Sequence, residues 1–215
     1  MLKKNKRFMI ITSIITAFPI LVGFLLWDQL PEQMATHFDS YGNPNGYSSK
    51  LFAVTTCYLI CLGAHIVCAV ITSADPRKSN ISQKIYRLVL CICPVVSIYC
   101  ALAMYGYALG YTEFAGGWTW ILLGMIFIVG GNYLPKCRQN YTIGVKLPWT
   151  LADTDTWDYT HRLSGKTWMI GGILMCLTAF QRSVDPVVVN VGIMCVAVAI
   201  PVIASYIYYR KHNGV

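Results

Sequence analysis

The stretch Phe8–Trp27, FMIITSIITAFPILVGFLLW, decides the fold class. Its 20 residues include no Asp, Glu, Lys or Arg. About 20 consecutive apolar residues are what an α-helix needs to cross the hydrocarbon core of a bilayer. The basic segment before it, Met1–Arg7, is typical of a signal peptide, but the apolar run is too long for one and no Ala-x-Ala cleavage site follows. We therefore predict a retained first membrane-spanning helix.

Further apolar runs without Asp, Glu, Lys or Arg follow along the chain: Leu51–Ile71, Leu88–Gly110, Trp118–Leu134, Thr167–Phe180 and Pro186–Tyr209. The run Thr167–Phe180 is short, and it spans a bilayer only if its helix begins earlier and Lys166 extends to the interface. Charged residues make up 12% of the chain, against about 25% in soluble domains. The sequence therefore predicts an all-α membrane protein with six transmembrane helices.

The positions of Lys and Arg predict the orientation of these helices. Fifteen of these residues lie in the N-terminal segment, the second and fourth connections and the C-terminal tail, whereas the opposite side has only Lys50 and Arg182. Because loops rich in Lys and Arg stay in the cytoplasm, both termini are predicted to be cytoplasmic. The formal charge of +8 is thus a signal of topology, and we expect no direct binding of nucleic acid.

The long connections divide the chain into two predicted halves. Residues 1–110 form an N-terminal three-span half with the external loop 28–50, and residues 111–215 form a C-terminal three-span half with the cytoplasmic loop 135–166. Halves of three spans have opposite orientations, as in transporters with inverted repeats. Two inverted three-helix halves are therefore a further interpretation of the fold.

The external loop contains LPEQMATHFDSYGNPNGYSSK, from Leu30 to Lys50. Its Asn-Pro and Asn-Gly pairs are strong turn signals, because Asn and Gly accept positive φ and Pro restricts it. A small hairpin or compact loop is predicted. His37 and Asp39 could bind a metal or ligand, but two candidate ligands do not make a metal site. The alternative is that Asp39 accepts hydrogen bonds within a turn.

The cytoplasmic loop contains a predicted helix that starts near Leu151. Thr150 and Asp153 are spaced as an N-cap and an acid in the first turn, and Asp153, Trp157 and His161 recur every four residues. The apolar, aromatic face of this helix would lie on the membrane. An ion pair between Asp158 and Arg162 is also expected. Interfacial anchoring by Trp157, His161 and Arg162 and a binding role both remain open.

The second predicted span places Cys57, Cys61, His65 and Cys68 on one helical face. Such a face could conduct a soft metal ion, but cysteine also packs as an ordinary small apolar residue, and whether these residues bind metal stays open. The sequence has no Gly-rich phosphate loop, no His-Glu-x-x-His and no Gly-x-Ser-x-Gly. We therefore predict no catalytic residues, no resident metal and no cofactor, and a protein that is not an enzyme.

Two long motifs resemble those of a known family. The first is LP…HFD…GNPNGY…SK in the external loop. The second begins at Gly131 with GNYLPK and continues with Arg138, Asn140, Gly144, Pro148, Trp149, Thr150, Trp157, Thr160, His161, Arg162 and Gly165. Together they resemble the SdpI-like family of bacterial membrane immunity proteins, which protect a cell from a secreted sporulation-delaying peptide toxin. The resemblance covers nearly the whole chain.

The resemblance implies a six-span protein of the bacterial cytoplasmic membrane that confers immunity to a secreted peptide toxin. It also implies that the protein captures a soluble transcriptional repressor at the membrane when toxin is present. The external candidates for ligand contact are His37, Asp39, Gly42, Asn43, Pro44, Gly46 and Tyr47. The cytoplasmic candidates for partner contact are Asn132, Pro135, Lys136, Arg138, Asn140, Gly144, Pro148, Trp149, Thr150, Trp157, Thr160, His161 and Arg162.

Two other functions compete with a toxin-immunity or signal-receptor role. A small transporter or exporter would need a polar path, for which the spans offer only His65, Asn132, Asn190 and scattered Ser and Thr. A membrane enzyme acting through His37 and Asp39, or through His161, is the third hypothesis. Substrate-dependent flux that is lost in His65→Ala would favour the transporter.

Overall fold

The structure is a computed structural model that describes residues 1–111 and 115–214. Helices and one hairpin make up this part of the chain. The helices are α1 (Lys6–Leu25), α2 (Cys57–Ala74), α3 (Gln83–Ala108), α4 (Gly117–Tyr133), α5 (Pro148–Ala152), α6 (Thr154–Thr178) and α7 (Pro186–Asn213), and the strands are β1 (Gln33–Phe38) and β2 (Pro44–Ser49). The predominantly helical fold class is confirmed, and the predicted hairpin is present.

Helical segments long and apolar enough to cross a bilayer are found at Lys3–Leu25, Phe52–Ala74, Gln83–Ala108, Gly117–Lys136 and Pro186–Asn213 within the described ranges. They contain α1, α2, α3, α4 and α7. Most of the predicted fifth span, Thr167–Phe180, lies in α6, a continuous helix of 25 residues that ends at Thr178. Its first turns contain Asp155, Asp158 and Arg162, which lower its hydropathy, so the count of six spans and their orientation stay predictions.

The chain folds into two compact units. The first consists of Met1–Ala74 and Tyr86–Trp118, and the second of Asp75–Ile85 and Thr119–Val215. In the first unit, Leu30 before the hairpin and Met34 of β1 pack with Val54, Tyr58 and Tyr105 in one apolar cluster. This cluster joins β1 to the helices, so the hairpin is part of a packed domain.

Polar contacts join the helices of the first unit along the buried face of α1. Thr12 Oγ1 lies 3.1 Å from His65 Nε2 of α2. The Ser97 hydroxyl of α3 donates to the Thr16 carbonyl at 2.7 Å, and the Tyr105 hydroxyl donates to the Pro19 carbonyl at 3.0 Å. Polar groups inside a bilayer need such internal partners. His65, one of the polar residues considered for a transport path, is therefore engaged in a helix–helix contact.

Glycines bring α4 and α6 together in the second unit. A Cβ added at Gly131 would lie 2.8 Å from the Gly165 carbonyl oxygen, and one added at Gly124 would lie 2.7 Å from the Gly172 carbonyl oxygen. The spacing is seven residues on both helices, so the two pairs occur on one face, two turns apart. Small residues let the backbones of membrane helices approach closely, where dispersion contacts hold them.

Candidate functional site

The hairpin β1–β2 is closed by an Asp39-centred turn. Asp39 Oδ1 accepts hydrogen bonds from the backbone N–H groups of Tyr41 at 2.9 Å and Asn43 at 2.8 Å, and Oδ2 accepts one from Asn43 Nδ2 at 3.1 Å. The backbone donor at Asn43 is the main cause of a lowered Asp39 pKa. The turn interpretation of Asp39 is therefore confirmed, and its carboxylate oxygens are already occupied by donors.

Glycines at the hairpin allow close contacts that no side chain would permit. Gly42 has φ +89°, and a Cβ on it would lie 3.0 Å from the backbone of Ala115 and Gly116. Gly46 pairs with His37 across the strands, and a Cβ there would lie 2.9 Å from the His37 Cβ. His37 Nδ1 also hydrogen-bonds Asn45 Oδ1. Several residues of the predicted ligand motif thus shape the hairpin itself.

The exposed side of the hairpin is formed by the other motif residues. His37, Asn43, Asn45 and Tyr47 are exposed, and Tyr47 retains 57% of its accessible surface. Pro44, the first residue of β2, is half-buried. An exposed tyrosine on a rigid hairpin can contact a ligand at low cost in conformational entropy. The hairpin therefore offers a preformed surface with Tyr47 at its centre.

Lys50, which follows the hairpin, contacts residues near the end of α1. Its ammonium group lies 2.9 Å from a Glu32 carboxylate oxygen and 3.2 Å from the Trp27 carbonyl oxygen, and it stands 5.0 Å from the centre of the Trp27 ring. Lys50 is only 6% exposed. This lysine on the predicted external side therefore has a structural role.

The second unit holds the predicted cytoplasmic loop, where residues 137–147 fold against the first turns of α6. Trp157 Nε1 donates to the Cys137 carbonyl at 2.8 Å. Val145 N–H donates to His161 Nε2 at 3.0 Å, and the Trp157 and His161 rings stack with centroids 3.9 Å apart. Both residues are almost completely buried. The prediction that this aromatic face lies on the membrane is therefore wrong, because the loop covers it.

Two other local predictions about this segment are corrected. The N-cap of α6 is Asp153, whose carboxylate accepts from Thr156 N–H at 2.8 Å and from the Thr156 hydroxyl, which is the main cause of its lowered pKa. Thr150 instead lies in α5, which Pro148 starts earlier because proline is favoured at the first helical position. Asp158 and Arg162 form no ion pair in the described part of the chain.

Asn140 and Thr150 hold the loop together from inside. Asn140 Oδ1 accepts from the N–H groups of Thr142 at 2.9 Å and Ile143 at 2.7 Å. The Thr150 hydroxyl accepts from Leu147 N–H at 2.9 Å and donates to the Val145 carbonyl at 2.9 Å. Both side chains are buried. These motif residues therefore define the loop and are not accessible for contact with a partner.

The sequence reasoning missed Asp75 and Gln139, which tie the second connection to this loop. Asp75 Oδ2 accepts from Tyr141 N–H at 2.9 Å and from the Thr142 hydroxyl at 2.8 Å. Gln139 Nε2 donates to the Thr150 carbonyl at 2.9 Å, and its Oε1 accepts from Arg77. One signal in the sequence that could have identified these contacts is Asp75 itself, the only acid among residues 75–87.

The remaining motif residues separate into two groups by exposure. Thr160 is buried, and Gly144, with φ +120°, lies directly against the His161 ring. Trp149 is half-buried, and its Nε1 donates to Ser205 Oγ at 2.9 Å. The exposed group consists of Asn132, Pro135, Lys136, Arg138, Pro148 and Arg162. Only this exposed group offers side chains that a soluble partner could reach without rearrangement of the loop.

No three His, Cys, Asp or Glu side chains come together as a metal-binding group in residues 1–111 and 115–214. His65 lies within α2, is fully buried and contacts Thr12 of α1 as described above. Cys57 and Cys61 are half-buried, and Cys68 is exposed. These four residues therefore do not share one environment, although they share a helical face.

Comparisons with known proteins show which parts of the chain are similar to known families. The model of the SdpI/YfhL protein family matches residues 136–209, which include the folded loop, α5, α6 and most of α7. A domain of unknown function, DUF1648, matches residues 14–62, which include the hairpin. The chain is 25% identical over 214 residues to immunity protein SdpI of Bacillus subtilis (strain 168), covering 99% of each chain. No solved structure matches.

Proposed function

We propose, from the similarity of this chain to the SdpI/YfhL family, that it is an immunity protein and signal receptor of the bacterial cytoplasmic membrane. It protects the cell from a secreted peptide toxin and captures a soluble repressor when that toxin is present. The observation that carries this proposal is the similarity to immunity protein SdpI along 99% of both chains. A multi-pass protein of this kind contacts the lipid bilayer through its apolar helices.

The hairpin is the proposed contact surface for the toxin. It is held rigid by the Asp39 turn and by the Lys50 contacts, so little ordering entropy is lost on binding. Tyr41 and Tyr47 are its exposed aromatic side chains, and tyrosine is enriched among residues that dominate binding energies. An amphipathic peptide would place its apolar side against these rings.

The proposed contact surface for the repressor is the exposed group on the predicted cytoplasmic loop. Lys136, Arg138 and Arg162 give it a positive charge, which favours a partner with an acidic surface and speeds association. The buried residues Asn140, Trp157 and His161 keep the loop in one conformation. Loss of a buried residue would therefore impair partner capture indirectly, whereas loss of Arg162 would remove a direct contact.

The test measures protection and capture separately in a sensitive bacterium. Cells expressing the chain are challenged with a sporulation-delaying-type peptide and with unrelated membrane-active peptides, and capture is read from the membrane fraction of a tagged repressor. We expect Tyr47→Ala to reduce toxin protection more than 10-fold, on the order of a hot-spot loss of 2 kcal/mol. We expect Arg162→Ala to reduce capture while protection is retained. Membrane levels are measured for every variant.

Matched controls remove the same side chains elsewhere. Tyr111→Ala removes an exposed tyrosine outside the hairpin, and Arg7→Ala removes an exposed arginine outside the loop. Neither change should affect protection or capture by more than about twofold. Equal loss of protection and capture in Arg162→Ala, at normal membrane levels, would contradict separate contact surfaces. Absence of selective protection by the unmodified chain would contradict the immunity role and favour the transporter hypothesis.

A further inference from the structure

A pocket of about 340 Å³ lies in the second unit, where α3 begins and α4 ends. It is lined by Ser79, Asn80, Ser82, Lys84, Ile85, Tyr133, Lys136 and Arg138. The Asn80 side chain donates to the Gln139 carbonyl at 2.7 Å, which fixes this wall to the folded loop described above. This hydrogen bond therefore holds one wall of the pocket in a fixed position.

The charges of the pocket all have one sign. Lys84, Lys136 and Arg138 line it, and its lining contains no carboxylate. The ion pairs in the described part of the chain, Lys50–Glu32 and His212–Asp155, lie elsewhere. The Lys136 ammonium group is 3.3 Å from Asn132 Oδ1 and 4.9 Å from the centre of the Tyr133 ring, both without a full negative charge. A bound anion would therefore relieve repulsion among these cations.

The helix that begins at the pocket adds to the same preference. Lys84 and Ile85 belong to the first turn of α3, a helix of 26 residues, and Ser82, which directly precedes this helix, accepts from Ile85 N–H through its Oγ at 3.3 Å. The first turn of a long helix carries a partial positive charge, which favours anions. The hydroxyls of Ser79 and Ser82 can supply further hydrogen bonds to an oxyanion.

The pocket lining includes residues at the ends of two helical segments that are long and apolar enough to span a bilayer. Ile85 is only 4% exposed, and Tyr133 is half-buried beside it. Tyrosine is favoured at the headgroup level of a bilayer. Multiple cations and hydroxyls around a cleft are the donors that bind phosphate oxygens with charge-assisted hydrogen bonds.

We propose that this pocket binds a phosphate group, presented either by an anionic phospholipid or by a soluble phosphate compound. The inference does not depend on the immunity role. Lys84, Lys136 and Arg138 contact the phosphate oxygens, and the hydroxyls of Ser79 and Ser82 orient it. If the phosphate belongs to a lipid, its acyl chains run past half-buried Tyr133 into the bilayer.

The experiment measures binding to the full-length chain purified in a nonionic detergent. The probes are dioctanoyl phosphatidylglycerol, glycerol 3-phosphate and, as an uncharged control, dioctanoyl glycerol. The pocket variant carries Lys84→Gln, Lys136→Gln and Arg138→Gln. The matched control variant carries Lys3→Gln, Lys4→Gln and Lys6→Gln, which removes the same number of exposed cations outside the pocket. Circular dichroism and size-exclusion chromatography test the folding of both variants.

We expect the pocket variant to lose about 10-fold or more in affinity for the phosphate probe, and the control variant less than about threefold. Binding of the lipid alone, or competition by glycerol 3-phosphate, identifies the source of the phosphate, and both outcomes support the site. Failure of both phosphate probes to bind would overturn the proposal, as would equal losses in the two variants. If the triple variant does not fold, Arg138→Gln alone must still weaken binding.

Discussion

At the scale of single residues, His161 near the start of α6 forms hydrogen bonds through both nitrogens of its ring. Its Nε2 accepts from Val145 N–H at 3.0 Å, and its Nδ1 can therefore only donate, to the Trp157 carbonyl at 2.8 Å. This pattern requires the neutral imidazole with its proton on Nδ1. Protonation of Nε2 would place a second donor opposite Val145 N–H. A histidine that resembled a binding residue in the sequence thus serves as a structural link.

The protonation of His161 should make the stability of the folded protein depend on pH. Burial lowers the His161 pKa, whereas the nearby Asp158 charge partly opposes this shift. Because the folded-state pKa lies below the unfolded value, the unfolded state binds more protons between the two values. We therefore expect the melting temperature of the detergent-solubilised protein to be constant above about pH 7 and to fall as the pH drops below about 6.5.

His161→Gln is the variant that tests this assignment. Glutamine places an amide oxygen near the position of Nε2, so it can accept from Val145 N–H without titrating. We expect it to be less stable than the unmodified chain at neutral pH, by about 1–3 kcal/mol for the lost ring packing and hydrogen bond. Its melting temperature should vary less between pH 5 and pH 7.5. An unchanged pH dependence would show that another group is responsible.

At the scale of secondary-structure elements, the contact between α4 and α6 depends on residues without side chains. A Cβ at Gly131 would lie 2.8 Å from the Gly165 carbonyl oxygen and 2.9 Å from the Met169 backbone nitrogen. Backbone atoms of a regular helix cannot move away singly, so a larger residue must separate the two helices. The folded loop packs on the first turns of α6, and a displaced α6 would therefore disturb the loop as well.

Gly131→Leu should separate α4 from α6 and lower the free energy of unfolding by at least about 2 kcal/mol. In a thermal melt this corresponds to a decrease of roughly 5 °C. Gly63→Leu is the control, because a Cβ at Gly63 in α2 would meet no atom within 4 Å. Both variants gain the same apolar side chain in a membrane helix. Equal melting temperatures for the two variants would contradict close packing at Gly131.

At the scale of the whole molecule, α6 decides whether the chain crosses the membrane six times. This helix is continuous from Thr154 to Thr178, and its second half contains all but the last two residues of the predicted fifth span Thr167–Phe180. If α6 crosses the bilayer, residues 181–185 lie on the same side as the hairpin. If it lies along the surface, α7 has the opposite orientation and the C-terminus is external.

Epitope tags in two connections distinguish these topologies. We expect a tag after Ser183 to bind antibody on intact spheroplasts, because six spans place that connection outside. A tag after Ser79, in the connection rich in Lys and Arg, should bind antibody only after permeabilisation. Antibody access to neither tag before permeabilisation would contradict the crossing by α6.

The sequence by itself determined the membrane class, the five helical segments long and apolar enough to span a bilayer, and the hairpin. These features are local: the length of an apolar run decides whether it can span, and Asp39 forms its turn with residues two and four positions away. The family resemblance was equally accessible, because motif order and spacing are properties of the chain.

Only the tertiary structure decided which motif residues are accessible. Trp157, His161 and Asn140 were predicted to contact a partner, but all three side chains are buried where the folded loop packs on the first turns of α6. The contacts of Asp75 were not predicted because its partners Tyr141 and Thr142 lie 66 and 67 positions further along the chain. Whether a side chain is buried depends on which distant segments pack against it, and a local pattern of residue types does not predict that packing. The same physical reason applies to the cationic pocket, whose charges come from the start of α3 and the segment after α4.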